Sequence, residues 1–198
     1  MLLPGTNLLA TAGKTGTLFL LNRSNLGQED PGNIGAVQSF QATPPCAGIY
    51  YNSCDEIHHM TYWAQNGGLP YLYVWAWRDT LKEFALSNGK LITTPVAQLN
   101  MSAGYPGGIL ALSANGSTAG TGILWAVTSP QSYDGTGLVP AGVLHAIDAS
   151  SVATELWNSN MNPADALGSL AKFTVPVVTN GKVYVATDSN ALRVYDLR

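Results

Sequence analysis

The sequence predicts an all-β protein, a β-propeller of about four blades, each blade a four-stranded antiparallel sheet. The chain repeats itself, each repeat carries a β-hairpin signature, and no segment sustains the apolar period of a helix. Together these define a single domain over 1–198, a partial propeller with approximate units 1–45, 56–103, 107–160 and 168–198.

Placing Leu81 over Leu192 aligns Leu72-Tyr73-Val74-Trp75 with Val183-Tyr184-Val185-Ala186, and Thr80–Leu86 with Ala191–Leu197, without a gap. The same frame takes in Leu9–Asn22. A further copy, Ile123–Val127 followed by Gly142–Asp148, fits once the loop from Thr128 to Ala141 is allowed extra length. Leu18, Leu81, Leu144 and Leu192 are then equivalent anchor positions.

In the first unit, Lys14-Thr15-Gly16 is the turn between two strands, and no convincing outer strand follows. Gly13-Lys14-Thr15 is not a phosphate loop, because Leu8 stands where that motif needs glycine and no helix pattern follows. The second unit pairs 71–77 with 80–86 and adds a short outer strand, Gly89–Thr94. The third opens with Leu110–Ser113 running into Asn115-Gly116 and closes with Thr154–Asn158. The last runs from Phe173 to Asn180-Gly181, continues through Lys182–Thr187, turns on Asp188-Ser189-Asn190 and ends without a fourth strand. Asn-Gly suits the left-handed geometry of a type I′ hairpin turn. Four units in an open arc would leave blade faces and strand edges exposed, so a C-terminal fragment lacking its N-terminal blades, and any signal peptide, is expected.

Composition narrows the function classes. Nine Lys+Arg oppose 12 Asp+Glu for a formal charge of -3, with no basic run, which sets nucleic acid and anionic membrane surfaces aside. No apolar stretch approaches the roughly 18 residues of a span, so membrane insertion is not expected. Only 11% of residues are charged; hydroxyls and amides replace them, a composition associated with exported β proteins. The N-terminal residues lack the basic and apolar regions of a secretory signal.

Several motifs resemble those of the PQQ-binding-like, quinoprotein-type β-propeller repeat proteins of bacteria. They are Ala146-x-Asp148 followed nine residues later by Trp157, the Asn-Gly-Lys-Val-Tyr-Val hairpin at 180–185, and Gly104-Tyr105-Pro106-Gly107-Gly108 with Ser113-Ala114-Asn115-Gly116. The resemblance implies a periplasmic or secreted protein. It does not carry the dehydrogenase chemistry with it. The family's Ala-x-Asp-x-x-x-Gly-x-x-x-Trp pattern is degenerate, with Val152 at the glycine position and Trp157 one residue late. The adjacent-cysteine disulfide of the alcohol dehydrogenases is absent, and no Glu, Asn and Asp set for calcium can be assigned. No cofactor is therefore assigned; PQQ with calcium is expected only of an intact, longer protein.

Cys46 and Cys54 fit neither a CxxC redox pair nor a zinc knuckle, and read as a loop-stapling disulfide or two free thiols. His58 and His59, with Cys54, Asp55 and Glu56, are the densest group of metal-ligating types. On a strand adjacent side chains point to opposite faces, so the two histidines converge on one ion only if the backbone is irregular. His145, beside core-directed Leu144, reads as a surface or interblade residue. Tyr71, Tyr73, Trp75 and Trp77 fall at period two and share a face. That face suits interblade packing, or a stacking platform for a quinone or sugar. Trp75, Trp77 and Trp125 are the cofactor-stacking candidates; no catalytic residue is assigned. The expected function is a binding module in the bacterial envelope, presenting loops such as 129–137 to a protein or carbohydrate partner. The alternatives are a fragment of a PQQ-dependent alcohol or sugar dehydrogenase, and an envelope scaffold.

Overall fold

The computed structural model describes residues 1–28, 32–45, 55–132 and 139–196. Cys46 and Cys54 lie outside them, as does the 133–138 portion of the loop named above. The described chain forms four antiparallel sheets in sequence order. Sheet 1 holds β1 (Leu2–Leu3), β2 (Leu8–Ala12), β3 (Thr17–Asn22) and β4 (Gln38–Gln41). Sheet 2 holds β5 (Met60–Trp63), β6 (Tyr71–Trp75) and β7 (Thr80–Ser87), with β8 (Lys90–Leu91) and β9 (Ala97–Ser102) both paired to β7. Sheet 3 holds β10 (Ile109–Ser113), β11 (Ile123–Thr128), β12 (Ala141–Asp148) and β13 (Glu155–Asn158), with β14 (Gly168–Ser169) on the start of β12. Sheet 4 holds β15 (Val177–Thr179), β16 (Lys182–Thr187) and β17 (Ala191–Asp196). Among the described residues no helix is long and apolar enough to cross a membrane.

Three details depart from the sequence reading. The outer strand expected at Gly89–Thr94 is reduced to Lys90–Leu91, and the longer outer pairing to β7 comes from β9 (Ala97–Ser102). The first unit does have an outer strand: β4, Gln-Ser-Phe-Gln, pairs with β3 from Thr17↔Gln41 to Leu20↔Gln38. Its polar composition hides it, because an edge strand needs only one packed side chain, and Phe40 supplies it against Phe84 at 5.5 Å. In addition, Asn115-Gly116 is not a two-residue hairpin turn, since β10 ends at Ser113 and β11 starts at Ile123. The longer loop is held by Asn115 N–H to Thr121 Oγ1 and by Trp63 Nε1–H to the Gly116 carbonyl. At Asn180-Gly181 both residues take positive φ, 51° and 72°, as a type I′ turn requires.

The sheets are joined face to face through three apolar clusters. The first unites Leu8, Ala10, Leu18 and Leu20 of sheet 1 with Leu72, Val74, Phe84 and Leu86 of sheet 2. The second sets Tyr73, Trp75, Leu81 and Leu99 of sheet 2 against Leu110, Leu124, Ala126 and Ile147 of sheet 3. The third sets Trp125, Val127, Leu144 and Ala146 of sheet 3 against Val183 and Val185 of sheet 4. Each β-strand's period of two therefore serves two interfaces, odd positions one and even positions the other. The anchor leucines always face the following sheet. Leu18, Leu81 and Leu144 are fully buried, whereas Leu192, with no described sheet beyond it, is 62% exposed.

Polar ties cross the same interfaces. The Gln38 side chain bonds both to the Leu91 carbonyl and to the Leu91 N–H at 2.8 Å, in the manner of a strand neighbour. The Tyr73 hydroxyl donates to the Ala149 carbonyl, and the Val152 N–H donates to Glu83 Oε2 at 3.0 Å. The motif Gly104–Gly108 is explained by packing: a Cβ on Gly108 would stand 2.8 Å from the Trp75 side chain, so only glycine lets β10 approach sheet 2 this closely.

Candidate functional site

In consecutive antiparallel sheets the segment leading into the first strand and the turn between the second and third lie at the same end. Here these segments are laced together. Ile57 N–H donates to the Gly13 carbonyl, Trp77 N–H to Glu56, Arg78 N–H to Ala103 and Gly104 N–H to Ser129. The backbones of the first three units thus meet at one end.

The hub is Tyr105, just before β10. Its ring meets Trp77 edge-on at 5.3 Å, His58 at 5.3 Å and Phe173 at 6.3 Å, and His58 meets Phe173 at 5.2 Å. Ser132 Oγ receives both the Trp77 indole N–H at 2.9 Å and the Tyr105 backbone N–H at 3.1 Å, which ties the Trp77 ring and the Tyr105 backbone to one hydroxyl. Cations ride on the rings: Arg78 lies 4.3 Å over Trp77 and Lys172 5.8 Å over Tyr105. Arg78 Nε also donates to Asp55 Oδ1 at 3.0 Å. Phe173 is half exposed and holds φ of +64°, a left-handed conformation unusual for a bulky residue.

Beneath the rings, buried Glu56 stands 2.9 Å from His58 Nε2 and 3.7 Å from Lys14 Nζ. Burial lowers the His58 pKa below its ordinary value, against the raising effect of Glu56, so the imidazole is neutral near pH 7. His59 turns elsewhere: its Nδ1 accepts the Leu110 N–H at 3.2 Å, and burial lowers its pKa too. The two histidines therefore have separate partners in separate places. Among the described residues no three His, Cys, Asp or Glu side chains are grouped to hold a metal ion.

The three cofactor-stacking candidates also separate. Trp75 is 1% exposed inside the interface of sheets 2 and 3, together with Tyr73, and offers no platform to a ligand. Trp125 is buried between sheets 3 and 4, its indole N–H on Ser113 Oγ. It lines a cleft of about 1030 Å³ that also reaches Trp157, Tyr195 and Asn180. Trp77 alone belongs to the aromatic end cluster. The alternation of 71–77 pointed to packing or to a platform; packing claims its first three members, because the sheets stack on both faces of β6. Tyr105 entered the sequence reading only through a motif, and Phe173, Arg78 and Lys172 carried no site signal there, since Phe173 and Lys172 sit in an aperiodic lead-in segment and Arg78 in a turn.

Of the two readings of His145, surface or between blades, the structure agrees with the second: it lies at 3% exposure between sheets, 5.4 Å from the Trp75 ring. Its Nε2 is 2.8 Å from Thr128 Oγ1 and its Nδ1 2.6 Å from Glu155 Oε1. The hydroxyl, imidazole and carboxylate are spaced like a nucleophile relay. Thr128 is itself 3% exposed, however, so the hydroxyl meets no substrate and the three groups clamp β11, β12 and β13 together. The hydrogen bond from His145 holds the Glu155 pKa below the usual carboxylate value.

No protein-family model and no curated protein matches the chain. Among solved structures it is similar to the computationally designed Ika4 protein, with a TM-score of 0.56 and 12% identity over 98% of this chain and 88% of that one. It is also similar to the computationally designed Ika8 protein, with a TM-score of 0.57 and 13% identity over 98% of this chain, but it spans only 44% of that chain. At these identities the likeness is one of fold alone.

Proposed function

We propose that the chain is a propeller-type repeat protein, its four sheets serving as blades, that works as a binding module. The end cluster is its contact surface, the partner is a protein or carbohydrate, and the setting is the bacterial envelope or the exterior. The observation that supports this is the convergence at one end of His58 and Trp77 of sheet 2's unit, Tyr105 leading into sheet 3 and Phe173 leading into sheet 4, with Arg78 over the Trp77 ring and Lys172 over that of Tyr105. Aromatic faces with polar handles bind sugar faces and apolar side chains alike. Loop residue Ser132 bonds to the cluster, so the described start of the connection after β11, residues 129–132, adjoins the same surface. The scarcity of charged residues supports the exported setting.

The test is a glycan array and a pull-down from envelope extract with the 198-residue chain, followed by titration of each hit while tryptophan fluorescence is recorded. Tyr105→Ala is expected to weaken binding by roughly tenfold, the loss of one stacked ring. Hits whose affinity is untouched by Tyr105→Ala and Phe173→Ala would sink the proposal. So would stoichiometric uptake of PQQ with Ca²⁺ accompanied by alcohol-dependent dye reduction.

A further inference from the structure

Among the described residues, the stacking rule that organises the sheets leaves two faces without a counterpart, and they are complementary. In every unit one face points forward to the next sheet and the other back to the previous one. The forward positions Leu18, Leu81 and Leu144 are all at 0% exposure. In sheet 4 the forward face runs across all three strands through Val177, Tyr184, Leu192 and Val194, in rows set by Val177↔Tyr184 and Tyr184↔Val194. Here Val177 is 56% exposed, Leu192 62% and Val194 48%. The backward positions show the mirror case. Leu72 and Phe84 of sheet 2 and Leu124 and Ile147 of sheet 3 are buried against the preceding sheet. Their repeat equivalents in sheet 1, Leu9 and Leu21, are apolar yet only half-buried and belong to none of the three clusters.

We infer that two copies of this chain associate head to tail, the forward face of sheet 4 in each packing on the backward face of sheet 1 in the other. The new contact continues an interface that the chain already makes three times within itself, with the same residue classes at the same repeat positions. A single chain does not close on itself, since Leu192 and Val194 stay exposed with sheet 1 present in the same molecule. Two copies are the smallest head-to-tail assembly in which each chain's forward face and backward face are both covered. A head-to-tail contact used twice by two copies closes, leaving no free face.

Sedimentation of the 198-residue chain tests this directly. The expected mass is twice 20.9 kDa at micromolar concentration. A chain that stays monomeric as concentration rises would overturn the inference, whether it closes on itself or awaits further residues of a longer chain. A ladder of larger species would overturn the closed pair. The direction of packing is read from two variants. Leu192→Asp with Val194→Asp blocks only the forward face, and Leu9→Asp with Leu21→Asp only the backward one. Each is expected to be monomeric alone, with unchanged far-UV circular dichroism, and the two mixed are expected to form a one-to-one heterodimer. Should the backward variant fail to fold, the forward variant is mixed with wild-type chain, where it is expected to cap one end and break the closed pair. A forward variant that still dimerises by itself would exclude the head-to-tail contact.

Discussion

Glu83 shows how a single charge can sit in an interface built for apolar side chains. It is 1% exposed between sheets 2 and 3, opposite Tyr73 on the neighbouring strand, and burial pushes its pKa up to about 7. The Val152 N–H opposes that rise and the nearby Asp148 charge adds to it. Between about pH 4.5 and pH 7 the folded chain therefore holds a proton that the unfolded chain has lost, and stability falls as pH rises through that window. Glu83→Gln keeps the acceptor for Val152 and removes the ionisation. Its melting temperature is expected to exceed that of wild type by about 2–4 °C at pH 8, with the gap closing by pH 5. Melting curves that run parallel at the two pH values would show that the carboxyl ionises without penalty. The signal for this residue was present in the sequence: Glu83 shares the period-two face of core-facing Leu81. His145 was harder to place, because a polar residue next to a core leucine looks solvent-facing on one strand taken alone. It is buried because both faces of β12 are covered by sheets.

At the scale of the element, the anchor leucines separate local pattern from tertiary context. All four were legible as equivalent positions from strand alternation and turn residues, which are local properties of the chain. Their burial is not local, since it depends on whether another sheet follows. Leu81→Ala and Leu144→Ala are each expected to cost about 2–5 kcal/mol in chemical denaturation, the transfer term plus a cavity between sheets. Leu192→Ala, measured at concentrations where the chain is monomeric, is expected to cost less than about 0.5 kcal/mol. Equal costs at the three sites would mean that Leu192 is covered in solution. The outer strands were the least legible elements. β4 and β9 carry mostly Gln, Asn, Ser and Met with one or two packed residues each, Phe40 in one and Leu99 in the other. They are selected by the open edges of β3 and β7 rather than by strand propensity. The end cluster is a product of stacking as well: its residues come from lead-in segments and turns that have no period of their own.

For the whole molecule, what matters is that no sheet owns a core. Sheets 2 and 3 each contribute to two clusters, sheets 1 and 4 to one, and among the described residues the sheets share their apolar burial through these clusters. Such a chain has a thermodynamic profile along its length rather than one uniform stability. Native-state hydrogen exchange of the monomer is expected to fall into two tiers, with β6, β7, β11 and β12 slowest and β1, β15 and β17 opening first. A single exchange rate across all four sheets would contradict this. The lacing of the turns has a matching consequence for recognition. Tyr105 and Trp77 hang on the two best-supported sheets, whereas Phe173 leads into the least supported one. A partner that grips all three rings would tether sheet 4 to sheets 2 and 3, and its binding would be felt as slowed fraying of β17, far from the point of contact.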